Sequence, residues 1–149
     1  RLVEPTAGSV CVDGVDIQSL DGSELRRRVA VIPQDPYLWS GTLRTNLDPT
    51  GEYADADILR TLDTCRMRGR FEAQLEDGKP LLEAEVQDSG GNLSVGERQL
   101  LCLCRALLRR SRLNLLDEAT ANIDAASEAQ LHAVLASAFA DATVVVVAH

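Results

Sequence analysis

Leu113-Asn114-Leu115-Leu116-Asp117-Glu118 is a short, mostly apolar run that ends in two adjacent acids. It is too brief for a helix and reads as a strand. Before it, Leu100, Leu101, Leu103, Cys104, Leu107 and Leu108 recur at helical spacing, and Arg109 and Arg110 stand where a helix C-terminus favours cations. After it, Asp124 and Ser127 can cap a helix with Leu131, Val134, Leu135, Ala138 and Phe139 on one face. Val144 to Val147 is β-branched throughout, as expected of a strand covered on both faces. Much earlier, Val29-Ala30-Val31-Ile32 is stopped by Pro33 and reads as a buried strand. Short apolar strands alternating with helices predict an α/β fold with a parallel sheet.

The flanks add smaller units. Leu2-Val3-Glu4-Pro5 reads as the last turn of a helix stopped by proline. Ser9 to Val12 and Val15 to Ile17 alternate around Asp13-Gly14, a two-residue hairpin signal, and Asp21 can cap a short helix over Ser23 to Arg28. From Ser40 to Gly90, turn residues, acids and a helical stretch near Asp57 to Met67 predict an inserted, mainly helical subdomain.

The 149 residues suit one domain, and 45% hydrophobic with 26% charged residues implies a packed core. A formal charge of −8 disfavours broad attraction to nucleic acid or anionic lipid, so any phosphate must be held locally. The longest apolar stretch, Ala142 to Ala148, falls short of the ~20 residues a membrane helix needs. The chain opens on Arg1 with neither initiator Met nor signal pattern and is expected to be part of a longer one. Cys11, Cys65, Cys102 and Cys104 form no CxxC pair and are expected to be reduced packing residues. The clusters Arg26-Arg27-Arg28 and Arg109-Arg110 with Arg112 suit the solvation of helix ends, and Tyr37, Trp39, Phe71 and Phe139 form no stacking array and read as packing or interface residues.

Ligands of open parallel sheets bind beyond the carboxyl ends of the strands. Three strands here end in polar groups: Gln34 after Val29 to Ile32, Asp117-Glu118 after Leu113 to Leu116, and His149 after Val144 to Val147. Were the strands parallel neighbours, all would meet on one rim. Asp117 there suits Mg²⁺, directly or through water, and Glu118 suits a proton acceptor for an attacking water. Gln34 could reach the metal or that water, and His149 could hydrogen-bond a terminal phosphate. Taken singly, the acid pair is also compatible with a solvated strand end, Gln34 with a turn between Pro33 and Pro36, and His149 with a structural role. Ser94 followed by Glu97 fits a capping box, and Gly90, Gly91 and Gly96 add little bulk, leaving that helix start open to an anion. A cap alone accounts for the same residues.

In chain order these passages resemble the ATPase domain of ABC transporters. Leu93-Ser94-Val95-Gly96-Glu97-Arg98-Gln99 resembles the signature motif, Leu113 to Glu118 the Walker B strand with its catalytic glutamate, Ala121-Asn122-Ile123-Asp124 the D-loop, Gln34 the Q-loop and His149 the H-switch. Gly41-Thr42-Leu43-Arg44-Thr45-Asn46-Leu47-Asp48-Pro49 and Asn92 to Leu108 further resemble the second nucleotide-binding domain of C-subfamily exporters of the multidrug-resistance-associated type. The resemblance implies a P-loop NTPase-like core over residues 1–39 and 106–149, with the helical subdomain and its signature over 40–105. It implies ATP and Mg²⁺ as cofactors, with Glu118, His149 and Gln34 catalytic and Asp117 and Gln34 at the metal. Ser94, Gly96, Gln99 and Asp124 would contact nucleotide, Ser94 and Gly96 that of the partner domain. Partners would be a second nucleotide-binding domain, head to tail, and the transmembrane domains of the same transporter, with Tyr37 and Trp39 at the coupling helices, on the cytoplasmic face of a membrane. No nucleic acid is expected.

Trp39, Gly91 and Cys104 depart from the family's pattern with no assigned consequence, and two further departures carry one. The pattern GxxxxGK[ST] is absent, and Lys79, the only lysine, lies in Asp77-Gly78-Lys79-Pro80. Asn114 is polar where a Walker B strand is usually apolar and needs a buried partner. The isolated chain is therefore expected to be inactive, and a non-catalytic module that pairs with an intact ATPase domain is the alternative. A chromosome-maintenance or DNA-repair ATPase shares these motifs, but the heptads or zinc-type cysteine spacing of that class are missing.

Overall fold

The computed structural model describes residues 3, 5–75, 78–119 and 123–147. The anticipated helix end at residues 1–5 falls largely outside them, as do His149 and, from the D-loop passage, Ala121 and Asn122. The chain runs through β1 (Cys11–Val12), β2 (Val15–Asp16), α1 (Gly22–Arg28), β3 (Val29–Ile32), β4 (Gly41–Thr42), α2 (Leu43–Leu47), α3 (Asp55–Thr64), α4 (Arg68–Glu72), β5 (Glu85–Val86), α5 (Val95–Arg109), β6 (Leu113–Asp117), α6 (Ala125–Ala138) and β7 (Thr143–Val147).

Strands β3, β6 and β7 form the parallel sheet in that order, with Ile32 level with Leu116 and Leu116 level with Val146. The α/β class read from the sequence is the one observed. Asp13 at φ 50° and Gly14 at φ 78° make the left-handed turn that joins β1 to β2, as their order requires. Asp21 accepts from the Ser23 amide and starts α1.

A single apolar core binds the layers. Ile32 and Leu116 on the sheet pack with Leu100, Leu101 and Leu103 of α5, Ile58 and Leu62 of α3, Phe71 of α4, and Leu131 and Val134 of α6. Burying each of the leucines is worth about 1.5–3 kcal/mol. Helix α5 is buried on most of its circumference and is the axle of the fold. Region 40–90 holds α2, α3 and α4, and β4 and β5 also pair antiparallel there, Gly41 with Val86. A strand of two residues shows no period from which to read it.

Four expectations need correction. Strand β7 is not covered on both faces: Val145, Val146 and Val147 are 45%, 58% and 48% exposed, because β7 is the last strand in the sheet among the described residues. Val31 in β3 is 58% exposed, so that strand is buried on one face only. Cys11 is exposed and packs no core, while Cys65, Cys102 and Cys104 are buried and all four are free. Tyr37 and Trp39 do meet, with ring centroids 6.2 Å apart, and the Arg105 guanidinium lies 4.7 Å from the Trp39 ring centre. Asn114 donates Nδ2 to the Ser111 carbonyl at 3.0 Å, while its Oδ1 is buried without a partner.

Candidate functional site

Pro33 lacks an amide hydrogen and ends β3, so Gln34 follows at the carboxyl end of that strand. Continuing the register by two residues past Ile32 and Leu116 brings Gln34 level with Glu118. The side chains meet there: Gln34 Nε2 donates to Glu118 Oε2 at 2.7 Å across 84 residues of sequence. Glu118 also donates its amide to the Val147 carbonyl at 2.9 Å, which ties it to the end of β7. Asp117, exposed, lies opposite Val147. Gln34, Asp117 and Glu118 thus share one rim of the sheet. His149 would follow two residues beyond Val147, outside the described residues.

Glu118 has φ 43°, in the left-handed region that side chains other than glycine avoid. Such a residue costs about 1–3 kcal/mol, and these costs concentrate at functional sites.

The capping box forms as read. Ser94 Oγ accepts from the Glu97 amide at 3.1 Å, and Glu97 Oε2 accepts from the Ser94 amide at 2.8 Å. Glu97 is held from outside as well: Arg70 Nε donates to its Oε1 at 2.6 Å and Arg70 Nη2 to the Asn92 carbonyl at 2.8 Å. The nearby glycines, however, do not leave the helix start open on all sides. A Cβ at Gly96 would run into the Ser127 side chain, and one at Gly90 would come within 2.8 Å of Leu38 and Arg98. Small size at these positions admits protein neighbours, while Ser94 remains exposed.

Asp124 caps α6, accepting at Oδ1 from the amides of Ala126 at 3.1 Å and Ser127 at 3.0 Å. Its hydrogen bonds with Ser127 hold the carboxyl below the usual carboxylate range. Gly96, Ser127 and Asp124 form a second cluster where the starts of α5 and α6 abut.

Gln99 is not at the surface. It is fully buried, and its Nε2 donates to the carbonyls of Pro33 at 3.1 Å and Gln34 at 2.7 Å, while Oε1 has no partner. An unpartnered buried polar atom costs about 1–3 kcal/mol. Arg105 belongs to no motif in the sequence, yet it holds the segment that follows Gln34. Its Nη1 donates to the Tyr37 carbonyl at 2.6 Å and its Nε to the Asn46 carbonyl at 2.6 Å, and burial lowers its pKa from the usual arginine range. An arginine within the apolar stripe of α5 was the available signal. Among the described residues no group of three or more His, Cys, Asp and Glu could hold a metal by itself, and no helix is long and apolar enough to cross a membrane.

Residues 1–121 match the family model described as ABC transporter. Over all 149 residues the chain is 46% identical to ABC transporter C family member 6 of Arabidopsis thaliana and 45% identical to ATP-binding cassette sub-family C member 2 of Homo sapiens. It is 43% identical to putative ABC transporter C family member 15 of Arabidopsis thaliana. The chain spans 10%, 9% and 14% of those three proteins respectively.

Proposed function

The chain belongs to the ABC transporter family, and from that premise we propose that it is part of the ATP-hydrolysing domain of a C-subfamily exporter, which couples Mg-ATP binding and domain pairing to transport. The contact of Gln34 with Glu118 at 2.7 Å carries this reading. It joins two strand ends far apart in sequence through a carboxylate and an amide suited to placing a water for attack on phosphorus.

The residues present fit the cation better than they fit the nucleotide. Asp117 and the Gln34 side-chain oxygen are hard donors, and so small a set suits Mg²⁺, which keeps several waters and takes phosphate oxygens as further ligands. When bound, Mg²⁺ would neutralise charge developing on those oxygens. A triphosphate needs a Gly-rich cradle and its lysine, which this sequence lacks. Within the chain, Glu118 accepts the proton of the attacking water or orients it, and Gln34 fixes Glu118 Oε2. His149 would donate to the terminal phosphate. Ser94 and Gly96 would face the nucleotide of a second ATPase domain, paired head to tail, and Asp124 would contact nucleotide as well. Tyr37 and Trp39 would meet the membrane-spanning domains, placing the whole at the cytoplasmic face. Residues 1–39 and 106–149 then form the core portion and 40–105 the signature-bearing unit, with α5 running through both.

ATP turnover by the full-length protein tests this reading, with the isolated 149-residue chain giving none. Ser94→Arg in the full-length protein should lower turnover by about tenfold or more, since misplacement alone costs that much, while ATP affinity on its own side is kept. Turnover by the isolated chain, or full activity in Ser94→Arg, would count against it. Tight association of the isolated chain with an intact ATPase domain, without any effect on turnover, would favour the interaction-module reading.

A further inference from the structure

Gln99 lies five residues into the helix that Ser94 caps, yet its side chain works at the other cluster. Its amide nitrogen donates to two successive carbonyls, Pro33 at 3.1 Å and Gln34 at 2.7 Å, 65 residues and more away in sequence. The orientation of the amide is unambiguous, because both neighbours are carbonyls and only the NH₂ end can serve them. Both N–H donors are used, and the Oε1 end is buried without a partner. A leucine or methionine would fill this space without stranding a polar atom, so the donor end must supply something that packing does not.

What it supplies is the position of Gln34. The far end of the same segment is held separately: Arg105, also from α5, donates to the Tyr37 carbonyl at 2.6 Å, and the Trp39 amide donates to Asn46 Oδ1 at 3.2 Å. Gln99 holds the near end, at the residue whose side chain touches Glu118. We propose that Gln99 is a positioning residue for the reaction, a strut by which α5 sets the main chain of Gln34 and, through Gln34 Nε2, the carboxylate of Glu118. It touches no nucleotide. The same strut links the exposed signature end of α5 to the sheet rim: a push on Ser94 from a partner domain reaches Gln34 through a little over one turn of rigid helix. The inference rests on the catalytic reading of Gln34 and Glu118 given above.

The test is made in the full-length protein with Gln99→Met, Gln34→Ala and the double variant, following ATP turnover and the hydrogen exchange of the peptide 33–39. Gln99→Met should speed exchange in that peptide. It should lower kcat by about ten- to a hundredfold, as ångström-scale misplacement does, and leave KM for ATP nearly unchanged. In the Gln34→Ala background the Gln99 change should cost nothing further. Unchanged exchange at 33–39 overturns the strut, and so does faster exchange with unaltered kcat. A raised KM with kcat intact overturns it in favour of direct nucleotide contact, and additive losses in the double variant overturn the route through Gln34. Should Gln99→Met not fold, Gln99→Leu carries the same test, since it too removes the donating nitrogen and strands no polar atom of its own. Loss of the catalytic reading itself would show differently, as a wild-type protein without turnover in which exchange at 33–39 still responds to Gln99.

Discussion

At the scale of single residues, Glu118 combines an unfavourable backbone angle with a contact to Gln34 that needs an acceptor oxygen at the end of a side chain of its length. Glycine at 118 relieves the angle and removes the contact. Glu118→Gly should therefore hold or raise the urea midpoint, by up to about 1 kcal/mol of stability, while turnover of the full-length protein is lost. A lower midpoint would mean that the Gln34 hydrogen bond outweighs the strain.

Asp124 gives the pH-dependent counterpart. Its carboxyl is held below the usual range by Ser127, so the folded state binds this proton less readily than the unfolded chain does. The stabilisation is present above the ordinary aspartate pKa and is lost as pH falls through the lowered one. Asp124→Asn keeps a capping oxygen but cannot titrate, and its stability should fall less steeply than that of the wild type over the acid range. Equal slopes in acid unfolding would refute the role. At this scale the sequence was legible wherever a motif names its residue, as at Ser94, Glu97, Asp21 and Asp124. Gln99 and Arg105 were not, because their partners lie 59 to 68 residues away and no local spacing encodes them.

At the scale of elements, α5 was read almost to its ends because the capping box and the apolar stripe agree. The pair β4 and β5 was missed because two residues carry no period. Gly96 sits where α5 meets α6, and the two helix starts can abut only because position 96 has no side chain. Gly96→Ala should lower stability by about 1–3 kcal/mol, the usual cost of overpacking, read as a shift in the urea midpoint, and Ser127→Gly should restore much of it. An alanine at 96 without effect would show that the α5 and α6 starts are not pressed together.

At the scale of the whole molecule, the parallel sheet follows from the alternation of short apolar runs with amphipathic helices, whereas the order of its strands is seen only in the fold. The exposure of β7 does not follow from that alternation either. Its composition is that of an interior strand, and Thr143–Val147 has none of the charges or prolines that guard an edge. Burial depends on what lies beside a strand, and a strand's own residues state only what it is suited to. The isolated chain should consequently self-associate through β7, and Val145→Lys with Val147→Lys should return it toward a monomer in light scattering. A wild-type chain that is monomeric at high concentration would show that this edge is tolerated.

The catalytic rim is where all three scales meet, and the Glu118→Gln variant of the full-length protein probes it with the least disturbance. Steady-state ATP turnover should drop by about a hundredfold or more, the loss expected of a missing general base, while nucleotide binding is retained. Turnover equal to wild type would contradict the assignment of this rim as the site of hydrolysis.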